Sequence, residues 1–151
     1  MSSSITVVKL GGTEGVDFSA ICQDAAKLLA EGQRLVLVHG GSAEANALGE
    51  ALGTPPHFIT SPSGYTSRYT DRGTLEVFCM AVNGKVNTLL VEQLQKLGVN
   101  ALGLSGLDGK LLLANRKESI QSIENGKRKI IRDDYTGKIE SVNAGLLNLL
   151  L

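Results

Sequence analysis

The sequence has no tryptophan, and aromatic residues make up only 4% of it. A core built on large rings is therefore excluded, and aliphatic side chains must supply the packing. There are two cysteines and two histidines. Cys22 and Cys79 have neither a second cysteine nor a histidine at ligand spacing, so they read as small hydrophobes on helices in a reducing compartment. His39 and His57 are too isolated for a metal site. No apolar run approaches the ~20 residues of a membrane span. The opening M-S-S-S lacks the basic and apolar regions of a signal peptide, so the reading is cytoplasmic, without membrane contact. Fifteen basic and fifteen acidic residues give a formal net charge of zero, which argues against a nucleic-acid binder. Prolines are scarce too, and all three fall between Gly53 and Gly64.

Glycine is what the chain has in quantity, eighteen residues, several of them where apolar runs end. A hydrophobic content of 42% and a mean hydropathy near zero describe a globular chain. Its 151 residues suffice for one domain or half of a larger enzyme. Residues 5–12 read I-T-V-V-K-L-G-G. The β-branched run fits a strand buried on both faces. Lys9 interrupts it, and Gly11 and Gly12 follow. Desolvating an ammonium group costs free energy unless an anion faces it, and glycines let a ligand reach backbone N–H groups. Lysine and bare amides at a strand's carboxyl end thus read as phosphate-binding equipment. A lysine snorkelling beside an ordinary strand-to-helix turn fits the same residues equally well.

Asp17 is placed to cap a helix whose Phe18, Ile21, Cys22, Ala25, Leu28 and Leu29 share one face, with Gly32 ending it. Residues 35–38 form a second buried strand running into His39-Gly40-Gly41-Ser42, and Ser42 is placed to cap the next helix. Strand, glycine turn and helix thus occur twice. That pattern sets two parallel strands side by side with both turns on one sheet edge, where α/β proteins bind ligands. Residues 53–64 read as an irregular connection. Thr70 or Thr74 caps a helix over 70–97, longer than the usual ~11–12 residues, a length that fits a dimer interface or simply a long packing helix. Residues 101–104 form a third core strand, followed by an Asp108-Gly109 hairpin turn. Antiparallel strands are expected at 111–114, 128–132 and 138–142, with Asn125-Gly126 as a type I′ turn signal. Asn143 caps a last leucine-rich helix without a C-cap, which reads as a chain cut before a further strand. Neither G-x-G-x-x-G nor G-x-x-x-x-G-K-[ST] occurs, which argues against dinucleotide-binding Rossmann and P-loop proteins.

Three motifs stand in order: V-V-K-L-G-G at 7–12, V-H-G-G-S at 38–42 and G-L-S-G-L-D-G at 103–109. With the arginine of S-R-Y-T-D at 67–71, they resemble the amino acid kinase family, close to N-acetylglutamate kinase, over essentially the whole chain. H-G-G-S-A-E-A-N, S-R-Y-T-D-R-G-T-L-E and E-N-G-K-R-K-I-I-R-D-D-Y-T-G are similar to the family's carrier-protein-linked aminoadipate kinase branch. The resemblance implies an α/β fold, a three-layer αβα sandwich with a mainly parallel central sheet and a β-hairpin substrate lid. It implies that residues 1–151 are the N-terminal acceptor-binding and dimerisation half, with the nucleotide-binding half absent from this chain.

The implied activity is ATP-dependent phosphorylation of a side-chain carboxylate, giving an acyl phosphate. Mg2+ accompanies the ATP, without a protein-ligated metal site. The implied acceptor is 2-aminoadipate, or glutamate, whose amino group is joined to a small acidic carrier protein, in lysine or arginine biosynthesis. An N-acetylglutamate kinase, or a truncated carrier-binding module without chemistry, are the alternatives. Carried onto this sequence, Lys9 is catalytic and lines the nucleotide phosphates with Gly11, Gly12 and Gly40. Gly41 and Ser42 offer N–H groups to the acceptor, and Arg68 holds its α-carboxylate. A homodimer is implied through helix 70–97. The family's second phosphate-facing lysine and Asn-x-x-x-Asp loop fall outside these residues, so this chain alone is expected to be inactive. Between Lys110 and Lys138 eight basic residues face four acidic ones. By itself such a bias protects exposed strand edges. An acidic carrier makes Arg116, Lys117, Lys127, Arg128 and Lys129 the expected contact surface. Ser105 and Asp108 are explained by turn chemistry and receive no role.

Overall fold

The protein is described by a computed structural model over residues 4–151. Strands β1 (Ile5–Lys9) and β2 (Arg34–Val38) pair in parallel, from Ile5 opposite Arg34 to Lys9 opposite Val38. Parallel neighbours need a crossover, and helix α1 (Phe18–Ala30) supplies it. Asp17 starts α1 by accepting the amides of Ser19 and Ala20 at 2.9 and 3.1 Å. Gly32, at φ +83°, turns the chain back toward β2. Leu35 and Leu37 point to α1 and join a core of Cys22, Ala25, Val86, Leu90 and Leu94. Burial there pushes the Cys22 thiol pKa up.

The sequence reading of β1 as buried on both faces is corrected: Thr6, Val7 and Lys9 are exposed, Val7 at 64%. Side chains alternate along a strand, so α1 covers the Val8 face. Among the described residues the Val7 face has no such cover.

Helix α2 (Ser42–Ala51) follows β2. Ser42 is its first helical residue rather than its cap; Gly41 occupies the cap, and the Ser42 hydroxyl donates to Gly12 O instead. The expected long helix exists but is not uniform. It runs through α3 (Arg72–Cys79), a π-helical segment (Met80–Asn87) and α4 (Thr88–Lys96) without leaving helical backbone angles at the junctions. Asp71, not Thr70 or Thr74, caps it, its Oδ1 accepting the Thr74 amide at 2.8 Å. That amide holds the Asp71 carboxyl pKa below its ordinary value.

The remaining strands are antiparallel. Strands β3 (Phe58–Thr60), β4 (Thr66–Arg68), β6 (Ile120–Glu124) and β7 (Lys127–Ile131) form one sheet in the order β4-β3-β6-β7. Strand β5 (Leu112–Arg116) pairs with β8 (Gly137–Val142) across a bulge at Leu113 and Ala114. The sequence reading placed β3 in an irregular connection and left β6 out, because β3 has three residues and I-Q-S-I-E is half polar. Asn125 and Gly126 take the positive φ values of a type I′ turn, 50° and 74°.

Two expectations fail after Gly98. Residues 101–104 join no ladder; Ala101 turns back on Val99 O at 2.9 Å and packs on the core. Asp108–Lys110 is a 3-10 turn, with Gly109 and Lys110 both at positive φ, and not a hairpin turn. Asn143 caps α5 (Ala144–Leu150) as expected, accepting the Leu146 amide at 3.1 Å. The class is α/β, with its parallel strands in the β1–β2 pair. Among the described residues no helix is long and apolar enough to cross a membrane.

Candidate functional site

The β1–β2 register determines where the glycines meet. Lys9 and Val38 are the last pair, and Leu10 N donates to Val38 O at 2.7 Å. Both chains therefore leave the sheet together, and the Gly11-Gly12 and Gly40-Gly41 turns lie against each other. A Cβ added to Gly12 would stand 2.1 Å from Gly41 N and 2.4 Å from the Gly40 carbonyl carbon. Two chains approach this closely only without side chains. Gly12 O then accepts both the Ala43 amide and the Ser42 hydroxyl, each at 2.9 Å, which pins the first turn of α2 to the β1 turn.

The amides of Gly11, Gly12, Gly40, Gly41 and Ser42 have no backbone acceptor among the described residues. These residues lie in the two touching turns at the N-terminal end of α2, where the helix dipole adds positive potential. Lys9 is exposed beside them, at the end of β1, whose residues 8–10 border a cleft of about 350 Å³ between β1 and α1. Lysine and unpaired amides converge on one edge, an arrangement that can hold a phosphate or a carboxylate.

Five further side chains brace this edge. Val82 and Val86 of the π-helical segment press on Gly41, where an added Cβ would lie 2.9 and 3.3 Å from their methyls. His39 reaches Gly40 O with Nδ1 at 3.1 Å and the Asn87 side chain with Nε2 at 3.3 Å. The Asn87 amide also fills the space beside Gly103. Lys85 pairs with Glu44 of α2 at 2.5 Å. Sequence reasoning missed Asn87, which has no local signal; its partners lie 48 and 16 residues away.

Arg68, at the end of β4, reaches α2. Its Nη2 donates to Asn46 Oδ1 at 2.6 Å, and the guanidinium lies 5.4 Å from the Phe58 ring and 5.9 Å from the Phe78 ring. Burial lowers its pKa. Asn46 lies four residues beyond Ser42, hence on the same face and about 6 Å along the helix axis. The sequence singled out its motif but not this pairing, although the spacing from Ser42 was a usable signal.

A latch holds the chain just beyond Arg68. Buried Asp134 accepts the Thr70 amide at 2.9 Å and the Thr136 amide at 2.7 Å. Tyr135 N donates to Thr70 O at 2.8 Å. The Tyr69 hydroxyl donates to Asp133 Oδ2 at 2.5 Å, and this bond to a carboxylate pushes the phenol pKa up to about 12. Because the folded-state pKa is raised above 10, the contribution to stability is complete below about pH 10 and is lost between pH 10 and 12. In an alkaline titration followed by tyrosinate absorbance, one of the three tyrosines should lag the others, and Asp133→Asn should abolish the lag. Simultaneous ionisation of all three would refute the assignment.

The basic residues of the hairpins do not form one uniform face. Arg116 is committed to its own chain: Nε donates to Asp134 O at 2.9 Å, Nη2 to Arg132 O at 3.0 Å, and the group lies 4.1 Å from the Tyr135 ring. Lys129 pairs with Glu124 at 3.0 Å. Lys117, Lys127 and Arg128 are exposed. Alternation along β7 places Lys127 and Lys129 on one side and Arg128 on the other. In the 103–109 motif, Asp108 accepts the Ser105 amide and hydroxyl at 2.6 and 2.9 Å, an internal turn bond that lowers its carboxyl pKa. Among the described residues no group of three or more His, Cys, Asp or Glu could hold a metal ion.

Comparison with known proteins agrees with this architecture. The chain is 57% identical over 148 residues to the [LysW]-aminoadipate kinase of Deinococcus radiodurans, covering 98% of this chain and 51% of that protein. It is 58% identical over 145 residues to the [LysW]-aminoadipate kinase of Thermus thermophilus, covering 96% and 54%. The [LysW]-aminoadipate/[LysW]-glutamate kinase of Saccharolobus solfataricus is 40% identical, covering 96% and 54%. The chain thus spans about half the length of the curated relatives it matches. Among solved structures, smu.665 from Streptococcus mutans superposes with a TM-score of 0.67 at 23% identity, covering 97% of this chain and 54% of that one. N-acetylglutamate synthase from Neisseria gonorrhoeae superposes at 0.58 and 21% identity, covering 98% and 33%. These two likenesses concern the fold. The amino acid kinase family model matches residues 4–151, and the chain belongs to that family.

Proposed function

We propose that the enzyme carrying this chain transfers the γ-phosphoryl group of ATP to the side-chain carboxylate of 2-aminoadipate, or glutamate, held by its amino group on a small acidic carrier protein. The observation that carries this reading is the double glycine turn, with five unpaired N–H groups beside Lys9 and, one helical turn along α2, the Arg68 guanidinium. In this reading Lys9 neutralises charge on the phosphoryl group in flight. Gly11, Gly12 and Gly40 line the nucleotide phosphates. Gly41 and Ser42 donate their amides to the reacting carboxylate, and Arg68 binds the carboxylate that does not react. Mg2+ arrives with the nucleotide, held by its phosphates. Residues 1–151 then serve as the acceptor-binding half, and the helix over residues 72–96 as a homodimer face. That helix leaves Met80 and Leu89 about half exposed, and sedimentation of the purified protein reads the dimer. The relatives named above as [LysW]-dependent kinases support the choice of acceptor.

The test is a phosphorylation assay with ATP on three acceptors: carrier-linked aminoadipate, carrier-linked glutamate and free N-acetylglutamate. Turnover of a carrier-linked acceptor above N-acetylglutamate is expected. The reverse preference would replace this reading by an N-acetylglutamate kinase, and no turnover would leave a carrier-binding module.

In the same proposal the acidic carrier docks on the hairpin residues Lys117, Lys127, Arg128 and Lys129, with Arg116 holding the strand ends in place. Replacing Lys127, Arg128 and Lys129 by alanine should slow carrier association and flatten its salt dependence, since screening acts over ~8 Å at physiological ionic strength. Turnover of a small carrier-free acceptor should hardly change. Equal loss on both acceptors would mean that the substitutions act through folding.

A further inference from the structure

Arg68 combines features that an arginine serving only the fold does not need. Its guanidinium has five donors, and among the described residues its one hydrogen-bond partner is Asn46 Oδ1, with no carboxylate in ion-pair range. It is partly buried against Phe58 and Phe78, both within the ~6 Å at which a ring stabilises a cation. Arginine offers no acceptor, so the Asn46 amide must present its oxygen to it. A neutral amide fixes the plane and rotation of the guanidinium without cancelling its charge. An aspartate at the same place would fix the plane and neutralise the group.

We infer that Asn46 is a positioning residue for the acceptor: it orients the Arg68 fork so that its remaining donors meet a carboxylate. This rests on the phosphoryl-transfer reading above. Asn46 belongs to α2, whose first turn carries the unpaired Gly41 and Ser42 amides. One rigid helix therefore sets the spacing between the groups proposed for the reacting carboxylate and the group that holds the other one. For the dicarboxylate acceptor already proposed, α2 then sets the distance between the groups that meet its two carboxylates.

The informative substitution is Asn46→Asp, measured in the whole enzyme. The new ion pair with Arg68 should hold or raise the melting temperature, while competition for the guanidinium raises the acceptor KM about tenfold. The nucleotide KM and kcat should stay within about threefold. Asn46→Ala should also raise the acceptor KM, but with a lower melting temperature. A purely structural residue would move stability and affinity in the same direction in both variants. An acceptor KM within about twofold of the parent in both would overturn the inference, as would an equal rise in nucleotide KM. Calorimetric titration with N-acetyl-2-aminoadipate reads the same site without turnover. If the parent enzyme turns over no acceptor, the kinase reading fails, and this titration still decides on Asn46. Equal affinity of parent and Asn46→Asp for the probe, or no binding by the parent, overturns it.

Discussion

Lys9→Ala should lower kcat by roughly 10²–10³ while leaving the acceptor KM nearly unchanged. The charge of Lys9 is needed most when the phosphoryl group lies between donor and acceptor, so its loss falls on the transition state and not on binding. The structure makes this a clean experiment. Lys9 is exposed at the last pair of the β1–β2 ladder, and among the described residues it forms no ion pair, so its removal opens no cavity and orphans no buried partner. Lys9→Met keeps the aliphatic stem on the uncovered Val7 face of β1 and should behave like alanine. Steady-state kinetics with saturating ATP, alongside a melting curve, provide the check. A variant within about threefold of the parent in kcat would remove Lys9 from the chemistry.

The largest structural effect should come from Gly12→Ala. Its new Cβ would meet backbone: Gly41 N at 2.1 Å, and the carbonyl carbon and Cα of Gly40 at 2.4 and 2.7 Å. A flexible side chain could rotate away, but two ladder-bound turns can relieve the clash only by moving apart. Overpacking typically costs ~1–3 kcal/mol when side chains give way, and a backbone clash belongs at or beyond the upper end. For a chain of this length about 3 kcal/mol corresponds to a fall in melting temperature of roughly 10 °C. Separation of the turns would also break the bonds from Ala43 N and the Ser42 hydroxyl to Gly12 O. Phosphate binding should therefore fall even at temperatures where the protein stays folded. Gly84→Ala is the matched control. Nothing lies within 4 Å of its added Cβ, and it is exposed within the long helix, so it should stabilise by about 0.5–1 kcal/mol. Equal melting temperatures for Gly12→Ala and the parent would mean that the turns do not touch in solution.

The sequence by itself determined the features whose causes lie within a few residues. Asp17 and Asn143 cap helices because a short side-chain oxygen meets amides two or three positions on. Asn125-Gly126 turns because both residues tolerate positive φ. The repeated strand, glycine turn and helix was enough to place Lys9, Gly11, Gly12, Gly40, Gly41 and Ser42 on one edge, since parallel pairing puts both strand ends on the same side. Local competition already blurred the caps. Ser42 was a good cap by type, yet its hydroxyl went to Gly12 O across thirty residues of chain, and Asp71 displaced two threonines.

What only the tertiary structure decided are contacts between segments far apart in sequence. Whether β1 is covered on one face or two depends on what packs beside it, not on its β-branched composition. Residues 101–104 are apolar enough for a strand but join no ladder. Polar β6 is a strand because β3 and β7 flank it. Arg68 meets Asn46 across 22 residues of chain, next to a latch through Asp133 and Asp134 that holds the chain after β4, and Arg116 donates to the carbonyls of Arg132 and Asp134, which lie 16 and 18 residues away. Composition and spacing report what a residue can do over one helical turn or one strand pair. Which distant group it meets is settled by packing of the whole chain.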